Sequence, residues 1–144
     1  YKRRDYSVII NGKNPVISHE FLGDNVEGKD VIVVDDMIAS GDSMIDVAKK
    51  LKERKAKNVY VFSAFGLFTE GFAKFDKAYE DGIISKIFTT NLIYRKPELL
   101  TKPWYVEVDM SKYIANIIDT LSYDRSLSEL LDPVQKIKKL LKKC

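Results

Sequence analysis

Hydrophobic positions along the chain follow two alternating rhythms. Val31–Val34 is apolar at every position, Asn58–Ala64 reads NVYVFSA, and Lys86–Thr90 reads KIFTT. Short runs rich in β-branched and aromatic side chains have the length and composition of strands. An unbroken apolar run such as the first suits a parallel strand covered on both faces. Between the first two runs, Met44, Val47, Ala48 and Leu51 recur at helical spacing, with the basic residues of SMIDVAKKLKERKAK on the other side. Between the second and third, Phe68, Phe72, Phe75 and Tyr79 form a stripe of core character, and Gly82 is placed to stop the helix. Strand, helix, strand, helix, strand predicts right-handed crossovers and a parallel sheet. A fourth strand is expected in WYVEVDM, Trp104–Met110. It leads into the helical SKYIANIIDTL, which carries Tyr113, Ile114, Ile117, Ile118 and Leu121 on one face. The terminal DPVQKIKKLLKKC predicts Asp132 as a cap and Pro133 at the first position of a basic amphipathic helix. The fold class is α/β, a parallel sheet with flanking helices.

Composition narrows the setting. A chain of 144 residues is about one domain, and 45% hydrophobic with 31% charged residues is ordinary for a globular protein. The net charge of +3, well mixed with acids, gives no argument for nucleic acid as a partner. Cys144 is the only cysteine, so no internal disulfide forms and a reducing cytoplasm is the expected location. No apolar run is long enough to span a bilayer and no signal-peptide pattern opens the chain, so no membrane partner is expected. The first residues, YKRRDYS, are a basic cluster without a methionine. They suggest one domain of a longer protein.

The chemistry concentrates in VIVVDDMIASGDSM, Val31–Met44. In parallel α/β sheets, ligands bind where strand ends lead into helices. Ala39, Ser40, Gly41, Asp42 and Ser43 form a loop of small side chains there, which lets backbone N–H groups converge on an anion at the positive end of the next helix. The hydroxyls of Ser40 and Ser43 can donate further hydrogen bonds. Asp35 and Asp36 would repel a phosphate set against them and suit the hydroxyls of a diol, with a divalent cation near Asp35. A diol and a phosphate a few residues apart describe a sugar phosphate. The plainer alternative is that Asp35 caps the strand end and Ser40 or Asp42 caps a helix.

That stretch resembles the phosphoribosyl-diphosphate (PRPP) signature of the type I phosphoribosyltransferase fold. Two activities share it: transferases consume PRPP, and ribose-phosphate pyrophosphokinases (PRPP synthetases) make it. YKRRDYS is similar to the Lys-Arg-Arg of the synthetases' mobile catalytic loop, with residues 1–7 part of that loop, and the segments around Asn58–Gly71, Lys86–Glu98 and Ser111–Leu121 parallel their C-terminal region. The resemblance implies the C-terminal, ribose 5-phosphate-binding domain of a two-domain enzyme that transfers the diphosphoryl group of Mg-ATP to ribose 5-phosphate, giving PRPP and AMP. It further implies Lys2 and Arg4 as the catalytic cations, Asp35 and Asp36 on the ribose hydroxyls, Ala39 to Ser43 around the 5-phosphate, Mg²⁺ as cofactor, and a homo-oligomer completed by an N-terminal domain. Residues 1–144 alone are then expected to bind ribose 5-phosphate without turning over ATP. Ala39 stands where synthetases often carry an acid, and Asp42 puts a negative charge in the phosphate loop, tolerable only if it points outward. The alternatives are a transferase using PRPP and a nucleobase, or a non-catalytic PRPP-binding regulator.

Other motifs are weaker. GDNVEGK, Gly23–Lys29, has the glycines and lysine of a P-loop, but Asp30 follows where Ser or Thr is required and the segment precedes a strand, so a turn is expected. His19 is the only histidine, which excludes a histidine-based metal cluster.

Overall fold

The computed structural model describes residues 2–4, 16–19 and 25–142. Two compact units divide the chain, Tyr1–Val108 and Asp109–Cys144. In the first unit, β1 (Lys2–Arg4) pairs antiparallel with β2 (Val16–His19), Lys2 opposite His19 and Arg3 opposite Ser18. The basic cluster expected in a mobile catalytic loop thus contributes one strand of a two-stranded ribbon. Its remaining positions, Tyr1 and residues 5–7, and the side chains of Lys2, Arg4 and His19, lie outside the described residues. The P-loop-like segment is a turn where it is described: Gly28 has φ +70°, and the Lys29 N–H donates to the Val26 carbonyl at 3.0 Å.

The body of this unit is a four-stranded parallel sheet in the order β3 (Asp30–Ile38), β4 (Asn58–Gly66), β5 (Lys86–Thr90), β6 (Tyr105–Val108). Its connections are α1 (Asp42–Glu53), α2 (Ala73–Glu80) and a short 3₁₀ helix, Pro97–Thr101. With the strands in sequence order, right-handed crossovers put every connection on one face. Met44, Ile45, Ala48 and Leu51 of α1 and Phe75 and Ala78 of α2 pack there with Val59, Val61 and Ile87 of the sheet in a single core. Alternation is strict from Asn58 to Ala64 of β4 and along β5, where Val59, Val61, Ser63, Ile87 and Thr89 are buried and their neighbours less so.

The opposite face departs from the expectation for β3. Ile32 and Val34 are 63% and 77% exposed, so within the described residues of this unit the strand is covered on one face. A continuous apolar run announces a strand and does not say how many layers enclose it. On that same outer face the Phe62 and Phe88 rings stack at 4.4 Å between centroids.

The aromatic stripe is core, as its spacing suggests, with one change. Phe72 and Phe75 join Trp104 and Tyr105 in a cluster of edge and stacked contacts, and Phe68 enters it from the loop before α2, at φ +46°. Phe68 lies outside α2, which begins at Ala73. Fully buried Trp104 needs a partner for its indole N–H. Asp76 Oδ1 accepts it at 2.7 Å, and Asp76 Oδ2 accepts from Lys102 Nζ at 2.9 Å. Burial pushes the Asp76 carboxyl up, but the hydrogen bonds from Trp104 and Lys102 outweigh it and leave the pKa below its ordinary value. A depressed carboxylate stabilises the fold above its unfolded pKa, and that contribution is lost as pH falls through the folded value. Asp76→Ala should therefore destabilise the protein by about 1–3 kcal/mol at neutral pH, since it orphans a buried donor. In urea denaturation followed by Trp104 fluorescence, the gap to wild type should narrow below about pH 4, the ordinary carboxylate range.

The second unit consists of α3 (Ser111–Ser122), α4 (Ser128–Leu131) and α5 (Val134–Leu141). Pro133 and not Asp132 is the N-cap of α5, one residue earlier than the pattern predicts, and Asp132 precedes it in a local turn, its Oδ1 accepting the Val134 N–H at 2.9 Å. The apolar face of α3 is amphipathic but unburied, with Ile118 and Leu121 exposed. No helix among the described residues is long and apolar enough to cross a membrane.

Candidate functional site

The strand carrying the two acids is longer than its apolar run. Pairing with β4 continues past them, Asp35 opposite Ser63, Met37 opposite Phe65 and Ile38 opposite Gly66. Asp35 and Asp36 are both exposed near the carboxyl end of β3. Consecutive strand residues project to opposite faces, so the two carboxylates flank the strand end from either side. Asp35 Oδ1 accepts the Asp36 N–H at 2.9 Å, a local contact that fixes one carboxylate against the backbone.

From Ile38 the chain is pinned on its inner side. The Ile38 carbonyl accepts the N–H groups of Leu67 and Phe68, at 2.9 and 3.3 Å, and the Ala39 carbonyl accepts that of Thr69 at 3.1 Å. Gly41 is the N-cap of α1, with φ +85° and ψ −7°, and its carbonyl accepts the Ile45 N–H at 2.9 Å. Among the described residues no side chain caps this helix. The alternative in which Ser40 or Asp42 is the cap is therefore set aside. Gly41 is required on two counts: its backbone is left-handed, and a Cβ would stand 2.2 Å from Cζ of the fully buried Phe75. The loop is held down by packing, and the twelve-residue helix above it starts with exposed Asp42 and half-buried Ser43. N–H groups at a helix start have no carbonyl partner inside the helix, and they carry the positive end of its dipole.

The side chains of the loop divide by role. Ala39 is exposed, Ser40 and Ser43 are half-buried and Asp42 is exposed. The Ser40 hydroxyl donates to Asp42 Oδ2 at 2.9 Å, so it orients the loop. Asp42 turns away from the helix axis toward α2, where Lys74 Nζ donates to its Oδ1 at 2.6 Å. Lys74 also donates to Glu70 Oε2 at 2.7 Å. Hydrogen bonds to Asp42 and then to Glu70 raise the lysine's pKa above its ordinary value and keep it ionised. The outward aspartate that a phosphate loop demands is thus present, with a cation that the sequence pattern did not flag. A groove of about 250 Å³ between α1 and α2 borders this pair, lined by Asp42, Asp46 and Asp81 against Lys49, Lys74 and Lys77. Three acids balance three lysines, so the groove carries no net charge with which to concentrate an anion.

Among the described residues no group of three His, Cys, Asp or Glu side chains could hold a metal ion on its own. Mg²⁺ is commonly bound through one or two carboxylates together with substrate oxygens and water. The exposed Asp35 and Asp36 match that donor chemistry.

Residues 6–132 match the phosphoribosyl synthetase-associated domain. The chain belongs to the phosphoribosyl synthetase family. Members similar to it include the ribose-phosphate pyrophosphokinase of Mycoplasma genitalium, 34% identical over 116 residues, covering 80% of this chain and 34% of that one. The Vibrio cholerae ribose-phosphate pyrophosphokinase is 30% identical over 111 residues, covering 77% of this chain and 34% of the relative. This phosphoribosyl synthetase-family chain therefore spans about a third of the length of those relatives. Its fold is that of the phosphoribosylpyrophosphate synthetase crystallised from Mycobacterium smegmatis, with a TM-score of 0.60 at 21% identity over 78% of this chain and 34% of the other.

Proposed function

We propose that the chain is the ribose 5-phosphate-binding part of a ribose-phosphate pyrophosphokinase. The observation that carries the reading is the loop from Ala39 to Ser43, whose left-handed Gly41 is seated on Phe75 at the start of α1, directly after two exposed carboxylates. The relatives' names supply the reaction class.

In the proposed reaction the C1 hydroxyl of ribose 5-phosphate attacks the β-phosphorus of ATP. The bond from that phosphorus to the α-phosphate oxygen breaks, AMP leaves, and the hydroxyl proton is lost to water. The protein's part in such a transfer is positioning and charge stabilisation. Amides at the start of α1, with Ser43, hold the 5-phosphate. Asp35 and Asp36 accept hydrogen bonds from the ribose hydroxyls and so aim C1. Lys2 and Arg4, whose assignment rests on the sequence resemblance, stabilise charge on the transferred group and on departing AMP. Mg²⁺, with Asp35 as its protein ligand, would neutralise phosphoryl oxygens when bound.

The test is to supply the intact protein with ATP, Mg²⁺ and ribose 5-phosphate and to follow PRPP and AMP. Equal formation of both supports the reading. Transfer from PRPP to a nucleobase, with no AMP released, would assign the protein to the transferases instead, and binding of PRPP with neither reaction would make it a regulator. Residues 1–144 alone are expected to bind ribose 5-phosphate and to release no AMP.

A further inference from the structure

We propose that Lys74, outside the acidic strand and the loop that follows it, is a positioning residue for the phosphate loop, holding Asp42 aside and offsetting part of its charge so that an anion can bind at the start of α1. The inference rests on the proposed ribose 5-phosphate site and deepens it.

Two consecutive residues of α2 secure two consecutive residues of the loop. The Phe75 ring lies where a Gly41 side chain would be, and the Lys74 amine takes the Asp42 carboxylate. Glu70, four residues before Lys74, takes the same amine and fixes its direction. Asp42 in turn receives the Ser40 hydroxyl, so one chain of hydrogen bonds runs from the loop through Asp42 to α2.

The arrangement answers an electrostatic conflict. An aspartate at the first position of a helix is attracted to the same positive end that a phosphate would use. Left alone it competes for those amides and repels the incoming dianion. Drawn to 2.6 Å from Lys74, it is turned off the helix axis and its field at the loop is partly offset by a lysine it shares with Glu70. An ordinary surface ion pair contributes little to folding, so the consequence of this one should appear in binding and hardly in stability.

The experiment measures ribose 5-phosphate and inorganic phosphate binding by calorimetry on the full chain at low ionic strength. Removing one compensating charge a few ångströms from a dianion in water-like dielectric changes affinity about three- to tenfold. Lys74→Met is expected to weaken both ligands by that factor with the melting temperature unchanged, Lys74→Arg to retain affinity, and added salt to shrink the difference. Asp42→Asn, which keeps an acceptor for Ser40, is expected to bind more tightly than wild type. Combined with Asp42→Asn, Lys74→Met should cost clearly less than it does alone, because the charge at the loop is gone and only Glu70 is left without its cation. Wild-type affinity in Lys74→Met overturns the proposal, and so does an undiminished loss when the two substitutions are combined. Absence of ribose 5-phosphate binding to wild type would overturn the underlying site as well, which separates the two failures.

Discussion

Gly41→Ala should destabilise the protein by about 2–4 kcal/mol and abolish ribose 5-phosphate binding. The figure combines the left-handed backbone, about 1 kcal/mol for a residue with a Cβ, and the overpacking of a tight core contact, about 1–3 kcal/mol. The contact cannot be relieved cheaply. Phe75 has nowhere to move: it is fully buried, with Phe68 edge-on and Trp104 stacked at 5.0 and 5.5 Å between centroids. A methyl at position 41 therefore lifts the loop instead of moving the ring, and the amides at the start of α1 lose their aim. Gly28→Ala is the control. Gly28 has φ +70° with no atom of the described residues within 4 Å of the place a Cβ would take, so that variant should bear only the backbone penalty and bind normally. Chemical denaturation and calorimetric titration of the two variants measure both effects.

The second large effect is expected at the acids. Asp35→Asn and Asp36→Asn should each weaken ribose 5-phosphate binding about 10- to 100-fold, the loss of a charge-assisted hydrogen bond worth about 1.5–3 kcal/mol. Both side chains are exposed, so stability should move by less than about 0.5 kcal/mol. Inorganic phosphate makes the result specific. It has no diol, and loss of a nearby negative charge can only favour it, so its affinity should hold or rise while that of ribose 5-phosphate falls. Parallel weakening of both ligands would mean that the carboxylates act on the loop and not on the sugar.

Much of this was legible in the chain. The third sheet strand, Lys86–Thr90, has the bounds its pattern gives, because an alternating run between turn residues is decided locally. The first sheet strand is not. It extends through Asp35 and Asp36 to Ile38 because β4 continues to pair with it, an interaction between residues 28 apart in sequence, as in Met37 opposite Phe65. Phe68 shows the same limit from another side. Its apolar character marks it correctly for the core, but burial does not require helical periodicity, and a left-handed loop delivers the ring equally well. The candidate loop could be recognised from small side chains after a buried strand. What supports it, Phe75 beneath Gly41 and Lys74 on Asp42, lies 34 and 32 residues further on and becomes visible only when α2 packs beside α1.

Backbone amides at the entrance to α1 holding the phosphate of a pentose are the feature on which the proposed function stands. The most direct measurement is an amide chemical-shift titration of isotope-labelled protein with ribose 5-phosphate, with unphosphorylated ribose alongside. The largest shifts are predicted to fall on Gly41, Asp42 and Ser43 and to require the phosphate. Saturable binding that leaves those three amides unmoved would contradict it.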